Sequence, residues 1–574
     1  MEPAGTWRCP EVKGELARNT SPERAAAPLQ GRLNRQGKTR GFGPGDSPRG
    51  QDYRQERKMS SLSNVNSTDL RDAVQLGCRT MTRAFNRHDA NRPFFSAFVR
   101  PAARLGWSSQ YTDAHVPGRH LNALVAAKTF LGLEIDDETV RKHADAMFFS
   151  SGGEIPLPLN RASIKAGKPD VFLAHNLREG FHGLNALILG YEDVQAFDVA
   201  RRSVDFIQKN WNPRSGWSFQ EAPSGFIPNH VVSGIGRAIG PLVKIYANSG
   251  HGPALALAQD IAGAALEFFP EDGRYLGDRL GNHVHSITST LSSLAQLAEV
   301  TGDSGLMQRV AAFYDHGLWE IRDEIGWAIE STRPGANPDR GEVNTSGDIL
   351  ETALILGAQR DSAYYGDAER ILRCHILPSQ LRDISWSVAH EHGNLPCGSV
   401  FARLQGAWGF PAPYGHEPLG LHSVQFNLDI VGGTVASLCE YSRRSWSQDG
   451  EKRIWLHCLP DLDDEAIRVR TPYTKDSLSI LLNEPGALAI RVPNWFAGDP
   501  AAYADRNNLT HAEGYWHFES TEVAQLLELP LALEPQTIVL RHNTRDIRAI
   551  LAGDSVVSME SHGADLTFFA TPAG

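Results

Sequence analysis

Cysteine is scarce: 574 residues hold six, Cys9, Cys78, Cys374, Cys397, Cys439 and Cys458, and no two stand in a CxxC spacing. That excludes a disulfide framework and a paired-thiolate zinc site, and it sets a reducing compartment, the cytoplasm, as the expectation. Long apolar runs are missing as well. None approaches the ~20 residues that a helical membrane span needs, so no membrane partner is expected. Positive charge is in deficit, with 56 Lys and Arg against 67 Asp and Glu, and a nucleic-acid partner would need a concentrated basic face. No Gly-rich phosphate loop follows a strand pattern, since Gly432-Gly433 falls early in a helical stretch, and nucleotide binding is disfavoured. The triplet His390-Glu391-His392 lacks the HExxH spacing that puts two imidazoles on one helix face, so neither metal nor another cofactor is expected. The first 58 residues are polar, basic and rich in Gly, Pro and Arg, without the apolar stretch of a secretory signal. They read as a disordered extension, with Met59 as an alternative start.

What is present is a repeated alternation. Apolar residues recur at helical spacing in about twelve windows between Leu70 and Tyr441, for example Leu121, Leu124, Val125 and Phe130 in the second. That second helix is expected to open after Pro117 and Gly118, and the first after a cap at Ser67 or Thr68. Every second connector is tiny and rich in Gly or Asp, as at 132–136, 190–193, 248–253 and 301–304. The others are long. Six helical hairpins closing into an (α/α)6 barrel explain the pattern, with short turns at one end and long loops converging at the other. After Tyr441 the period shortens to strand-like runs such as Ile467 to Arg470, Leu478 to Leu482 and Leu488 to Val492. The expected organisation is an extension over 1–58, a barrel over 59–443 and a β-sandwich over 444–574, which makes the fold mainly α.

The long loops hold chemistry that a linker does not need. They offer Tyr111, Asp113 and His115; His175, Asn176 and His182; Trp217, Glu221 and His230; Asp278, His283 and His285; Trp327, Glu330, Glu342 and Asp348; and Tyr414, His416, Glu417 and His422. Aromatic faces stack on sugar rings, and His, Asn and carboxylates pair with hydroxyls, so a carbohydrate partner fits. The set expected to bind it is His115, Asp113, His182, His283, His230, Trp327, Tyr414, His416 and Asn427. Glu342, on the loop before the tenth helix, is the first choice for proton transfer, because a helix N-terminus and buried neighbours can tune a carboxyl there. Glu351, Asp348, Glu417 and Asp429 are the candidates for its partner.

At these residues the chain resembles the β-L-arabinofuranosidases of glycoside hydrolase family 127 and their relatives, over roughly Tyr111 to Ala570. The segments His115-Val-Pro-Gly-Arg119-His-Leu-Asn-Ala, Phe181-His182-Gly-Leu-Asn-Ala and Asn282-His283-Val-His285-Ser are similar to that family's sugar-contacting segments. Leu488 to Trp495 and Glu513 to Glu519 are similar to strands of its sandwich. The resemblance implies an (α/α)6 barrel with a sandwich, sugar contacts from His115, His182 and His283, and a fold compatible with a homodimer. It also implies zinc held by a Glu-Thr-Cys segment and a Cys-Cys pair, one cysteine being the nucleophile. Here the matching positions read Glu351-Thr352-Ala353 and Phe426-Asn427. Phe cannot attack an anomeric carbon, and Glu351 alone cannot build a thiolate site. The expectation is therefore an exo-acting glycoside hydrolase that removes a terminal sugar, a furanoside or related, by a zinc-independent mechanism using carboxyl groups. Two rivals stand beside it. One is a lyase acting on a uronate, with Tyr414, His416 and Arg119 as base, acid and neutralising cation; the other is a sugar-binding protein without catalysis.

Overall fold

The computed structural model describes residues 61–66, 68–161, 170–219, 225–227, 230–389, 399–450, 452–519 and 526–572. Glu221, Ser67 and the His390-Glu391-His392 triplet lie outside them, as do residues 1–58.

Twelve helices form the barrel: α1 Leu70–Thr82, α2 Thr112–Leu131, α3 Asp137–Ser151, α4 Leu177–Tyr191, α5 Val194–Asn210, α6 Ile239–Ser249, α7 Gly252–Ala265, α8 Val284–Thr301, α9 Ser304–Asp315, α10 Val343–Gln359, α11 Ala363–Ile371 and α12 Leu428–Arg444. The even-numbered helices pack in a closed inner ring, each against the next and α12 back against α2, and the odd-numbered ones lie outside them. The fold is thus an (α/α)6 barrel. No described helix is long and apolar enough to cross a membrane.

The short turns have a local cause. Helices α2, α6 and α8 end on Gly132, Gly250 and Gly302 in the left-handed region, with φ of 58°, 70° and 67°, which only glycine adopts at little cost. Helices α3, α5 and α9 then start on Asp136, Asp193 and Asp303, whose carboxylates accept from the first free backbone N–H groups. Helix α1 uses Asp69 in the same way, in place of the expected Ser67 or Thr68.

Helix α2 opens at Thr112, earlier than expected, with Pro117 inside it. Proline's missing N–H forfeits one bond near the start of the helix, and the early start places Asp113 and His115 on the helix itself. Two glycines let α2 and α4 touch. A Cβ on Gly118 would sit 1.9 Å from the Glu179 carbonyl oxygen, and one on Gly183 would sit 2.7 Å from the Gly118 Cα.

The residues expected to form one sandwich, 444–574, hold two arrangements. A five-stranded sheet (Trp446–Gln448, Ile454–Leu456, Leu488–Arg491, Tyr515–Phe518, Thr510–Ala512) faces a four-stranded one (Leu462–Asp463, Ile467–Arg470, Leu478–Leu482, Leu526–Leu529). They enclose their own core of Leu456, Val469, Ile480, Ile490 and Trp516. The strands Pro535–Arg541, Asp546–Ala552 and Ser555–Met559 form a separate antiparallel sheet. Its Leu540, Ile547, Leu551 and Met559, with the following Leu566, Phe568 and Phe569, belong to the barrel's core.

Candidate active site

All six inner helices begin at the mouth formed by the long loops, and none of their N-caps makes a side-chain capping bond. Those residues are Tyr111, Asn176, Ala238, His283, Glu342 and Asn427. The positive ends of six helix dipoles therefore point toward one mouth, their first N–H groups satisfied by loop and turn acceptors such as Glu330 O, Gly409 O and Phe95 O. Rings link neighbouring loops there: Tyr111 meets His115 edge-on at 5.6 Å, His115 stacks on His175 at 5.5 Å, His175 tilts against His283 at 5.4 Å, and His283 meets His285 at 5.8 Å.

Beneath the rings is a network of buried charge. His285 bridges two carboxyl groups, its Nδ1 lying 3.3 Å from Glu342 Oε1 and its Nε2 3.3 Å from Asp348 Oδ2. Arg178 donates to Asp348 Oδ1 at 2.6 Å. His283 Nε2 faces Glu342 Oε2 at 3.7 Å. Across the mouth His115 lies 3.2 Å from Asp429 Oδ2 through Nε2, while its Nδ1 meets Asn176 Oδ1 at 3.0 Å. Glu179 is the hub of the floor, accepting from Arg119 at 2.8 Å and Arg237 at 2.9 Å.

The two leading carboxyl groups are set in opposite senses. Burial, with the nearby charges of Glu330 and Asp429, pushes the Glu342 carboxyl up to about 8. Burial also acts to raise Asp429, but the His115 hydrogen bond and the Arg119 charge outweigh it and hold Asp429 below the usual carboxylate range. Its Oδ1 is buried without a hydrogen-bond partner. Glu342 is thus set to hold a proton at neutral pH and Asp429 to be ionised.

Of the expected residues, the mouth gathers Glu342, Asp348, His115 and His283. Asn427 lies at its rim, accepting from Gln425, which accepts in turn from Arg340. His182 sits on α4 one turn beyond Arg178, buried, with no hydrogen-bond partner for Nδ1.

The other expected site residues are placed elsewhere. Asp113 pairs with Arg92, and its backbone N–H donates to Asn160. His230 is exposed and lies edge-on to Phe268 at 4.3 Å. Trp327 is buried, donates to the Pro411 carbonyl and packs against His542 of the C-terminal sheet. The Tyr414 hydroxyl engages Asp339 and Arg545, and His416 is packed between Phe426 and Phe568. The base and acid of the lyase reading are therefore core residues. Glu417 pairs with Arg100, which also holds Asp565. Glu351 accepts from Ser292 and Ser437 and lines a cavity of about 30 Å³ with Lys244, Glu440, Arg443 and Arg444 at the short-turn end.

Among the described residues, no cysteine is placed to hold zinc as a thiolate. Ala353 is buried in the core, the Phe426 ring packs on His416, and Cys78, Cys374, Cys439 and Cys458 are buried with their thiols pushed up by desolvation. One group of described residues has the spacing of a metal seat. His283, His285 and Glu342 offer three ligand atoms within 4.8 Å of one another.

Sequence reasoning missed Arg178, Glu179 and Arg237. The available signal was charge inside apolar inner-wall segments, which a buried position tolerates only when paired.

An (α/α)6 barrel with a polar mouth, followed by a β-sandwich, is a fold shared with known glycoside hydrolases. The chain is similar to a GH127 beta-L-arabinofuranosidase from Geobacillus stearothermophilus T6, with a TM-score of 0.51, 14% identity and coverage of 85% of this chain and 80% of that one. It is similar in the same way to a structure described as a glycoside hydrolase, with a TM-score of 0.51, 13% identity and coverage of 86% and 84%. At such identities the likeness establishes the fold. No family model matches the chain, and no curated protein matches it.

Proposed function

We propose that the protein is an exo-acting glycoside hydrolase that releases a terminal sugar, a furanoside or related, without a metal in the chemical step. The observation that carries this reading is the pair Glu342 and Asp429, oppositely set carboxyl groups within one mouth flanked by His115 and His283. Glu342 donates its proton to the departing glycosidic oxygen. Asp429, with one oxygen held by His115 and the other unpartnered, stabilises the cationic sugar and acts as nucleophile or as base toward water. Half-exposed His283 hydrogen-bonds a sugar hydroxyl, His115 and Asn176 hold the Asp429 side of the pocket from beneath, and Tyr111 offers its ring face. Exo action is supported by the far end of the barrel, where Glu299, Glu351, Glu440, Arg443 and Arg444 bond to one another or to neighbouring serines. A pocket open at one end receives a chain terminus.

The test is a panel of aryl glycosides and natural oligosaccharides, with proton NMR of the first product anomer assigning the stereochemistry. In Glu342→Gln, turnover of natural substrates should fall ~10³-fold or more, while aryl glycosides whose leaving groups need no proton retain most of theirs. Loss of both activities to the same extent removes Glu342 from the acid role. Sugar binding in calorimetry with no product from any substrate replaces the hydrolase with a binding protein.

A further inference from the structure

The three donors grouped at the mouth make a second demand on Glu342. A tetrahedral ion with bonds of ~2.1 Å spaces its ligand atoms by roughly 3.4 Å. His285 Nδ1 stands 3.3 Å from Glu342 Oε1, and His283 Nε2 stands 3.7 Å from Glu342 Oε2. All three donors fall within 4.8 Å of one another. Small rotations would close a three-point seat of two imidazoles and a carboxylate, with a fourth position left open.

We propose that His283, His285 and Glu342 bind one divalent cation of the zinc class, and that the bound cation occupies the oxygens Glu342 needs as a proton donor. This ligand set contains no thiolate and differs from the one the family resemblance implies. The surroundings support it independently of the ligand atoms. Each imidazole has a partner on its other nitrogen, Ser286 Oγ at 2.7 Å from His283 Nδ1 and Asp348 Oδ2 at 3.3 Å from His285 Nε2. Such partners orient metal-binding histidines, and at His283 Ser286 can accept the Nδ1 hydrogen and leave Nε2 facing the ion. Asn344 Nδ2 lies 3.3 Å from Glu342 Oε1 and fixes the carboxyl plane.

The three neighbouring guanidinium groups are offset by three carboxylates, Glu179 holding Arg119 and Arg237, Asp348 holding Arg178, and Asp429 acting on Arg119 and His283 from across the mouth. Access is open as well. The His283 side chain is 41% exposed, against 3% for His285, so an ion arriving through the mouth meets His283 first. Arg178 Nη1 and Arg119 Nη2 also reach His285 Nε2, at 3.2 and 3.4 Å. As obligate donors they favour a bare Nε2, and hence an Nδ1–H directed at Glu342, when no cation is bound. Cation binding moves that hydrogen to Nε2, where Asp348 accepts it.

Binding is measured apart from catalysis by titrating the chelator-treated full chain with Zn2+ in a calorimeter and with Co2+ by visible absorption. One equivalent should bind, with the intense visible bands of a tetrahedral Co2+ site. His285→Ala and His283→Ala should each weaken binding ~100-fold or more, Asp348→Asn ~10-fold, and His230→Ala not at all. The half-exposed position of His283 keeps its variant folded, so a result from it is readable even if His285→Ala unfolds. No stoichiometric binding to the wild type, or binding unchanged in His283→Ala, overturns the site.

The inhibitory consequence rests on Glu342 being the acid. If hydrolysis is found, Zn2+ should suppress it in proportion to occupancy, and full activity of the saturated protein overturns that part. Cation binding without hydrolysis of any substrate supports the site and removes the hydrolase reading.

Discussion

The two ends of the barrel are built on opposite principles. At the short-turn end, helices stop on left-handed residues and restart on aspartate caps, and charges are paired: Arg444 makes a two-pronged bond to Glu299, and Glu440 is held by Arg443. At the mouth, six helices begin without a side-chain cap, and several buried polar atoms have no hydrogen-bond partner, among them Arg119 Nη1, Asp429 Oδ1 and Asn344 Oδ1. An unsatisfied buried polar group costs about 1–3 kcal/mol. Such groups at a mouth mark where the protein gives up stability so that a ligand can complete the bonding. One end holds the molecule together and the other is left for chemistry.

The sharpest way to break the contrast is Asp429→Asn. It removes a buried charge from the mouth and keeps an oxygen for His115 to contact. Hydrolysis should fall ~10³-fold with a modest fall in melting temperature, because the charge that His115 and Arg119 hold ionised is lost. A retained rate with a large fall in melting temperature would make the mouth a second stabilising end. Arg444→Met at the other end should do the reverse, leaving Glu299 and Glu440 without a full complement of cations. The loss is about 2 kcal/mol of stability, at the lower end for a buried pair because these groups keep some solvent contact. The folded fraction should retain the wild-type kcat, and a changed kcat would mean that the two ends are coupled.

Asp323, on the long loop that leads toward Glu342, probes the contrast through pH. Its Oδ1 accepts from the Ile325 and Trp327 N–H groups at 3.1 and 3.0 Å, while Oδ2 is buried without a hydrogen-bond partner. Burial, and then the charge of Glu324, raises the carboxyl from 3.8 to about 8. A raised acid binds its proton more tightly when folded. Its stability contribution is therefore complete below the unfolded value, is lost as pH rises toward the folded one, and changes no further above it. Asp323→Asn should abolish that loss, so that the variant gains on the wild type by several kcal/mol, on the order of 5, between pH 4 and pH 8. Parallel melting profiles of the two proteins across that range would place Asp323 in a solvated, ordinary environment.

The contrast also explains what was legible in the amino-acid sequence. Gly132, Asp136, Asp193 and Gly302 act within a few residues of themselves, so the ring of hairpins could be read from local pattern. His115, His283 and Glu342 sit where helical period meets loop, and were legible for the same reason. Arg178, Glu179 and Arg237 were not, because their partners lie on other inner helices and only closure of the ring brings them together. Trp327, Tyr414 and His416 have the residue types of a sugar site. They pack under the last three strands and the Leu566–Phe569 segment, which join the barrel's core instead of the sandwich's. Chemical type was readable at these positions, whereas the face each side chain turns to depends on that distant sheet.

The smallest expected effect tests the caps themselves. Asp193 starts α5 by accepting from the Ala196 N–H at 2.9 Å, directly after α4 ends on Glu192 at φ 49°. Asp193→Ala removes the acceptor and should cost about 1 kcal/mol, with kcat and KM unchanged, because the turn lies at the opposite end of α4 from Arg178 and Glu179. Glu192→Gly, at the same turn, should recover a similar part of that loss, since a left-handed residue without a Cβ is unstrained. The double variant read by denaturant titration isolates the two terms. If Asp193→Ala instead changes KM for the released sugar, the short turns set the position of the mouth residues, and the division between the two ends fails at its most local point.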